Sequence, residues 1–299
     1  MYKHILDSCN LCPRNCHVNR NKGVLGFCKT DNRLKIAKAY LHQWEEPSIS
    51  GANGSGTVFF SHCNMGCVFC QNYEISSNHH GKYISVEELS GIFLDLQKEK
   101  AHNINLVTPT HYIPQIAEAI ILAKNNGLTI PVVYNCGGYE NVQALKLLYG
   151  LIDIYMPDIK YFDNKYAVKY SNAPDYFKYA KKALSEMYSQ VGKNEFDDEG
   201  LMKKGIIVRH MMLPGLLFDS KKILDYLYSE YGDNIYISIM SQYTPMPNVI
   251  DYPEINKRVS KEYYDSLVDY ASKIGITNAY IQDGASAKES FIPDFYTDF

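Results

Sequence analysis

A chain of 299 residues, 46% of them apolar, has ample material for one large core with a small appendage. Its formal net charge of -3 leaves no basic footprint for nucleic acid or an anionic membrane, which excludes recognition by bulk charge. The first residues carry no apolar h-region and no run of about eighteen uncharged apolar residues occurs, so the expectation is a cytoplasmic protein with no membrane partner.

Residues 1–50 read as a cysteine-rich metal-binding segment and 51–299 as the main domain. Seven of the eight cysteines precede residue 71, a crowding that in a reducing compartment points to metal rather than to disulfides. Cys9, Cys12, Cys16 and Cys28, with Gly23 and Gly26 to turn the backbone, make a complete four-thiolate set for a second metal centre, zinc or iron-sulfur. Next, 33–46 has the pattern of a strand or two. The glycine-rich stretch 50–56 is a turn, because a phosphate-cradling loop would follow a strand and this one precedes it. A strand over 57–60 is apolar and β-rich. Beyond the cysteines that follow it, Ser85 and Glu88 form a capping box for a helix reaching about 101. A buried strand at 105–107 and a helix over 112–126, ending at Gly127, come next. Strand 131–135, a short helix over 141–149 and strand 152–156 follow. Residues 164–203 hold helical, charged segments longer than one crossover requires. Strand 205–213, helix 220–231, strand 235–240 and helix 260–274 complete the alternation before 279–282. Six apolar strands alternating with helices predict an α/β fold, a parallel sheet with right-handed crossovers that is either curled into a partial barrel or doubly wound.

The chemistry concentrates in Cys63-Asn64-Met65-Gly66-Cys67-Val68-Phe69-Cys70, directly after strand 57–60. Three thiolates at this spacing can turn inward from one loop, as iron-sulfur clusters require. In a four-iron cluster, three local thiolates leave one iron open to bind substrate. A structural zinc site using Cys63, Cys67 and Cys70 with His62 or Cys136 is the other reading. In a parallel sheet the polar residues that matter sit at strand C-terminal ends. Here those ends supply Thr108, Thr110 and His111, then Asn135 and Cys136, Asp158 and Lys160, Arg209 and His210, and finally Gln242. Phe69 and Tyr73 either shield the site or pack beside it.

Cys-x3-Cys-x2-Cys with an aromatic before the last cysteine resembles the radical S-adenosylmethionine (SAM) superfamily. The continuation Cys70-Gln71-Asn72-Tyr73 is similar to the Cys-His-Asn of activating enzymes for pyruvate formate-lyase and other glycyl-radical enzymes. The resemblance covers about residues 57–250 and implies a partial (β/α)6 barrel. It also implies a 4Fe-4S cluster on Cys63, Cys67 and Cys70, whose open iron is chelated by SAM. One electron then cleaves SAM to a 5'-deoxyadenosyl radical that abstracts hydrogen. Cofactor-binding roles are implied for Thr108, Thr110, Asn135, Asp158, Lys160, His210 and Gln242. Asp158-Ile159-Lys160 matches the Asp-Leu-Lys with which activating enzymes hold SAM, Lys160 meeting its carboxylate. Asn135-Cys136-Gly137 lies where the family's Thr-Asn-Gly contacts the ribose side. The sequence departs at Thr108-Pro109-Thr110, where the family's Gly-Gly-Glu would bind the methionyl amino group. The implied hydrogen donor is a glycine of a glycyl-radical protein, with a small molecule or peptide as the alternative. A non-catalytic iron-sulfur or zinc protein is the second alternative. A flavodoxin or ferredoxin is the implied electron donor.

Overall fold

The computed structural model describes residues 3–282 together with 293 and 295. Two 3-10 turns, Lys3–Ser8 and Arg20–Lys22, precede the first strand, β1 (Leu34–His42). A one-turn helix, α1 (Pro47–Ser50), leads into β2 (Ser55–Phe60), which is buried at every position. The cysteine loop follows, then α2 (Tyr73–Ser76) and the short β3 (Lys82–Ile84). Helix α3 (Val86–Lys98) begins at a closed capping box: Ser85 Oγ accepts from Glu88 N at 3.0 Å, and Glu88 Oε2 accepts from Ser85 N at 2.6 Å. Four-residue β4 (Ile104–Val107), α4 (Ile113–Asn125), β5 (Val132–Cys136), α5 (Val142–Leu145) and β6 (Ile154–Pro157) continue the alternation. The long stretch after β6 resolves into α6 (Asn164–Ser171), α7 (Tyr176–Val191) and a small β7 (Glu195–Phe196). Then come β8 (Met202–Met211), α8 (Leu217–Tyr231), β9 (Tyr236–Met240), α9 (Lys261–Ile274) and β10 (Ala279–Ile281).

One sheet takes the order β10-β9-β8-β6-β5-β4-β2-β1-β3, with β7 paired to β8 off that path. Every pair from β2 to β10 along that order is parallel, the architecture expected of alternating strands and helices. β2, β4, β5 and β6 are buried along their whole length, which is why they read as apolar runs rather than alternating ones. The fold is the predicted α/β partial barrel, with additions. The segment 33–46 gives one antiparallel strand, β1, paired to both β2 and β3, and β10 adds a parallel strand beyond the six expected. The helix expected over 141–149 is shorter: α5 gives way to a 3-10 turn at Lys146–Leu148. Among the described residues no helix is long and apolar enough to cross a membrane.

The N-terminal segment is fastened to the barrel by apolar and polar contacts together. Leu6 and Leu11 join the same buried cluster as the strand and helix side chains. Arg20 is only 1% exposed; its Nη1 donates to the His111 carbonyl at 2.7 Å, and its Nε and Nη2 donate to the Asp31 carbonyl at 2.9 and 2.7 Å. Arg20→Met would keep the bulk but orphan two carbonyls, each costing on the order of 1–3 kcal/mol. A drop of about 2–4 kcal/mol in unfolding free energy is expected from urea melts, whereas an unchanged midpoint would show that the segment does not depend on this side chain.

Candidate active site at the strand C-terminal ends

β2 ends at Phe60 and hands the chain to the cysteine loop. His62 makes the turn with φ of +73°, outside the regions a side chain ordinarily adopts. Three neighbours fix the loop. From the end of α6, the Tyr170 and Ser171 carbonyls accept from Val68 N at 2.9 Å and Gly66 N at 3.2 Å. From the N-terminal segment, Arg14 Nε donates to the Asn64 carbonyl at 2.9 Å while its guanidinium lies 3.6 Å over the Phe27 ring. Asn64 Nδ2 donates to the Tyr139 carbonyl at 2.6 Å.

Each of the three sulfurs receives a hydrogen bond. Met65 N donates to Cys63 Sγ at 3.3 Å, Ser171 Oγ to Cys67 Sγ at 2.9 Å, and Ser76 Oγ to Cys70 Sγ at 3.3 Å. Burial pushes all three thiols up, Cys67 to about 11 even with the Lys160 ammonium opposing it. Thiols so disfavoured as free anions ionise when a metal centre takes the sulfur, and a donor aimed at each sulfur fits a thiolate ligand. The fourth ligands considered for zinc are engaged elsewhere. His62 Nδ1 donates to the Cys28 carbonyl at 3.1 Å with its ring stacked 4.2 Å from that of His79, and the buried Cys136 lies near the Glu140 carboxyl.

Cys63, Cys67 and Cys70 line a cavity of about 400 Å³ with Thr108, Asn135, Asp158, Lys160 and Gln242. It therefore gathers five of the seven positions implied for the cofactor. Thr110 and His210 stand outside it. Thr108 carries φ of +60°, an outlier for a β-branched residue, and the chain then turns into a 3-10 turn that points Thr110 at Glu140 Oε1, 2.6 Å away. On β8 successive side chains face opposite ways: Arg209 enters the cavity, and His210 is buried behind it with Nδ1 donating to the Ile159 carbonyl at 2.7 Å. Burial holds the His210 imidazole down at about 4. Met65 packs against the 135–138 turn so closely that a Cβ on Gly137 would sit 2.8 Å from its sulfur.

A chain of charges crosses the cavity. Lys160 Nζ lies 2.6 Å from Asp158 Oδ2, and Arg209 Nε 3.1 Å from Asp158 Oδ1. Arg209 continues through Nη2 to Asn135 Oδ1 at 2.9 Å and through Nη1 to Glu45 Oε2 at 3.1 Å, and Asn105 Nδ2 donates to Glu45 Oε1 at 2.9 Å. Burial would push the Asp158 carboxyl up, but the Lys160 and Arg209 cations outweigh it and hold it below the usual carboxylate range. Arg209, expected only as a polar residue at a strand end, belongs to the cavity wall, as do Glu45, Glu46, His42, Trp44 and Ser238, to which the sequence assigned no role. The paired acids Glu45-Glu46 just after an apolar strand were the available signal.

The four N-terminal cysteines, Cys9, Cys12, Cys16 and Cys28, line one small cavity of about 10 Å³ together with Arg14, Arg20 and Phe27. Phe27 N donates to Cys16 Sγ at 3.4 Å, and burial pushes the Cys12 thiol up to about 12.

Residues 57–227 match the model of a family described as the Radical SAM superfamily. An uncharacterized protein of Methanocaldococcus jannaschii is 29% identical over 289 residues, covering 93% of this chain and 78% of that protein. Among solved structures, Streptococcus suis SuiB bound to S-adenosylmethionine is similar with a TM-score of 0.53 at 14% identity, over 74% of this chain and 48% of SuiB. The FeFe-hydrogenase maturase HydG from Carboxydothermus hydrogenoformans gives 0.52 at 14% identity, over 74% of this chain and 50% of HydG. At these identities the likeness is one of fold, and the chain spans about half the length of the two structures.

Behind the cavity, Glu140 is 1% exposed and accepts from Thr110 and, at 3.0 Å, from Tyr134. Burial outweighs these donors and raises its carboxyl from 4.5 to about 7. The folded state then keeps a proton that the unfolded chain releases, so the contribution is fully present below about 4.5 and lost as pH rises to about 7. Compared with Glu140→Gln, the wild type should lose about 3 kcal/mol of stability over that interval in denaturant melts. Parallel pH profiles for the two proteins would show that Glu140 is ionised throughout.

Proposed function

The chain belongs to the radical SAM superfamily, whose model matches more than half of its residues, and on that premise we propose that Cys63, Cys67 and Cys70 hold the 4Fe-4S cluster at which this enzyme cleaves SAM. The observation that carries the assignment is the opening of these three cysteines, each with a hydrogen-bond donor on its sulfur, into one cavity with Asp158 and Lys160. When bound, the cluster and SAM supply a one-electron cleavage that yields a 5'-deoxyadenosyl radical, the species that abstracts hydrogen.

This chain's side chains bind, orient and shield. Lys160 meets the carboxylate of SAM as a point charge, held in place by Asp158. Asp158 is itself steadied by Arg209, so the lysine head does not depend on its own flexible stem for position. Asn135 faces the ribose, and Thr108 offers a hydroxyl and a carbonyl where relatives carry a carboxylate. Gln242 closes the opposite rim; its carbonyl accepts from Gln71 Nε2 at 3.1 Å, linking the far strand to the cysteine loop. Met65, Phe69, Met211 and Leu213 form the apolar wall that keeps water from a reactive intermediate.

The resemblance to activating enzymes supports a glycine of a glycyl-radical protein as hydrogen donor. The extension of the cavity past the cysteines to His42, Trp44 and Glu46 favours a small molecule or peptide. A doublet EPR signal on a candidate protein partner decides for the first. A one-electron carrier such as a flavodoxin or ferredoxin completes the system in a cytoplasmic setting. Residues 1–50 are proposed as a metal-binding unit in which Cys9, Cys12, Cys16 and Cys28 hold a second centre, zinc or iron-sulfur.

Two measurements test these assignments. Adding SAM to the reduced, reconstituted protein should change the EPR spectrum of its cluster, and Lys160→Ala should weaken that binding by about 1–3 kcal/mol, the range for a lost charge-assisted hydrogen bond. Equal affinity would remove Lys160 from the site. In the variant with Cys63, Cys67 and Cys70 all replaced by Ala, metal content should persist at the N-terminal quartet, zinc identifying a structural clip and iron a second cluster; a variant without metal would rule out the separate centre.

A further inference from the structure

We propose that Glu46, on the cavity wall across from the cysteine loop, binds a cationic group of the hydrogen donor, a primary ammonium or guanidinium carried on an alkyl stem. The inference rests on the reading of the cavity as the radical SAM active site and adds the class of molecule that enters it.

The chief observation is an unpartnered acceptor. Glu46 is 7% exposed, lines the same cavity of about 400 Å³ as Cys63, Cys67 and Cys70, and its Oε2 is buried with no hydrogen-bond partner. A buried carboxylate oxygen left unpaired costs more than an ordinary lost hydrogen bond, and a site that supplies the missing cation recovers that cost on binding. The surrounding charges leave Glu46 in excess. Three carboxylates, Glu45, Glu46 and Asp158, face two cations, and the two cations direct their hydrogens to the other acids: Arg209 to Glu45 and Asp158, Lys160 to Asp158. Burial pushes the Glu46 carboxyl upward against the pull of Arg209, a penalty that an arriving cation would offset.

Position separates this carboxylate from the place implied for the amino group of SAM. Glu46 stands near Ser238 of β9, whereas the family's amino-binding motif corresponds to Thr108 at the end of β4. Between them in the sheet lie β8, β6 and β5. The wall near Glu46 is suited to an aliphatic stem. Met240 and Ile281 come from β9 and β10, and the half-open indole of Trp44 stands two residues away on the approach. A methylene chain packs on these while its charged end reaches the acid, the way long cationic side chains divide apolar stem from polar head.

Calorimetry on reconstituted protein saturated with SAM tests this with n-hexylamine and its uncharged counterpart 1-hexanol, with the emission of Trp44, the one tryptophan in the chain, as a local reporter. The wild type should bind the amine about tenfold or more tightly than the alcohol, and Glu46→Gln should bring the two within about twofold. Equal binding of amine and alcohol by the wild type, which needs no variant, would overturn the proposal. So would a tenfold loss of SAM affinity in Glu46→Gln, because the carboxylate would then serve the cofactor's own ammonium. Absence of 5'-deoxyadenosine formation in the wild type would instead strike the underlying reading of the cavity, and the amine preference is measured independently of it.

Discussion

Lys160, Asp158, Arg209 and Glu45 form an alternating line of charges inside the curl of the sheet, and the shape of the cavity depends on it. Removing each charge from water costs several kcal/mol, a penalty offset only when partners are close and the remaining hydrogen-bonding capacity is satisfied. Here both oxygens of Asp158 face a cation, and Arg209 reaches three acceptors on different elements. From Arg209 on β8 the bonds fan out to Asp158 after β6, Asn135 on β5 and Glu45 after β1, and Glu45 in turn accepts from Asn105 on β4. Such cross-links hold the concave face open as a polar pocket where apolar side chains would otherwise close it.

The cysteine loop depends in turn on what surrounds that pocket. It is not a free appendage of β2: Tyr170 and Ser171 at the end of α6 and Arg14 from the N-terminal segment each hold a different backbone atom of it, and Tyr139 from the turn after β5 holds the side chain of Asn64. Ser171 serves twice, its carbonyl taking Gly66 N and its hydroxyl donating to Cys67, so one residue couples loop position to the state of a sulfur. The N-terminal cysteines are linked into the same framework, because the carbonyl of Cys28 accepts from His62, the residue before Cys63.

What the sequence disclosed follows from range. The strands β2, β4, β5, β6, β8 and β9 were readable because strands buried on both faces are short continuous apolar runs, and α3 because its cap is a four-residue signal. The cysteine loop was readable because its ligands come from one stretch. Arg209 and His210 are neighbours of which only one can face the cavity, and that choice is set by the register of β8 against β6 and β9, a nonlocal fact. Thr110 was lost to Glu140, thirty residues away, a partner that no local pattern announces. Glu45 and Glu46 looked like the polar end of a strand because their contacts, Asn105, Arg209 and Ser238, lie far along the chain.

The proposed assignment requires that Cys63, Cys67 and Cys70 carry the chemistry, and the cavity, the charge line and the anchored loop support it. Formation of 5'-deoxyadenosine by anaerobically reconstituted, reduced protein supplied with SAM, compared between the wild type and Cys67→Ala, addresses that requirement. The product should appear with the wild type and be absent from the variant, since two thiolates would leave two irons of the cluster open and not hold it in a form fit to bind SAM. Undiminished formation by Cys67→Ala would contradict it.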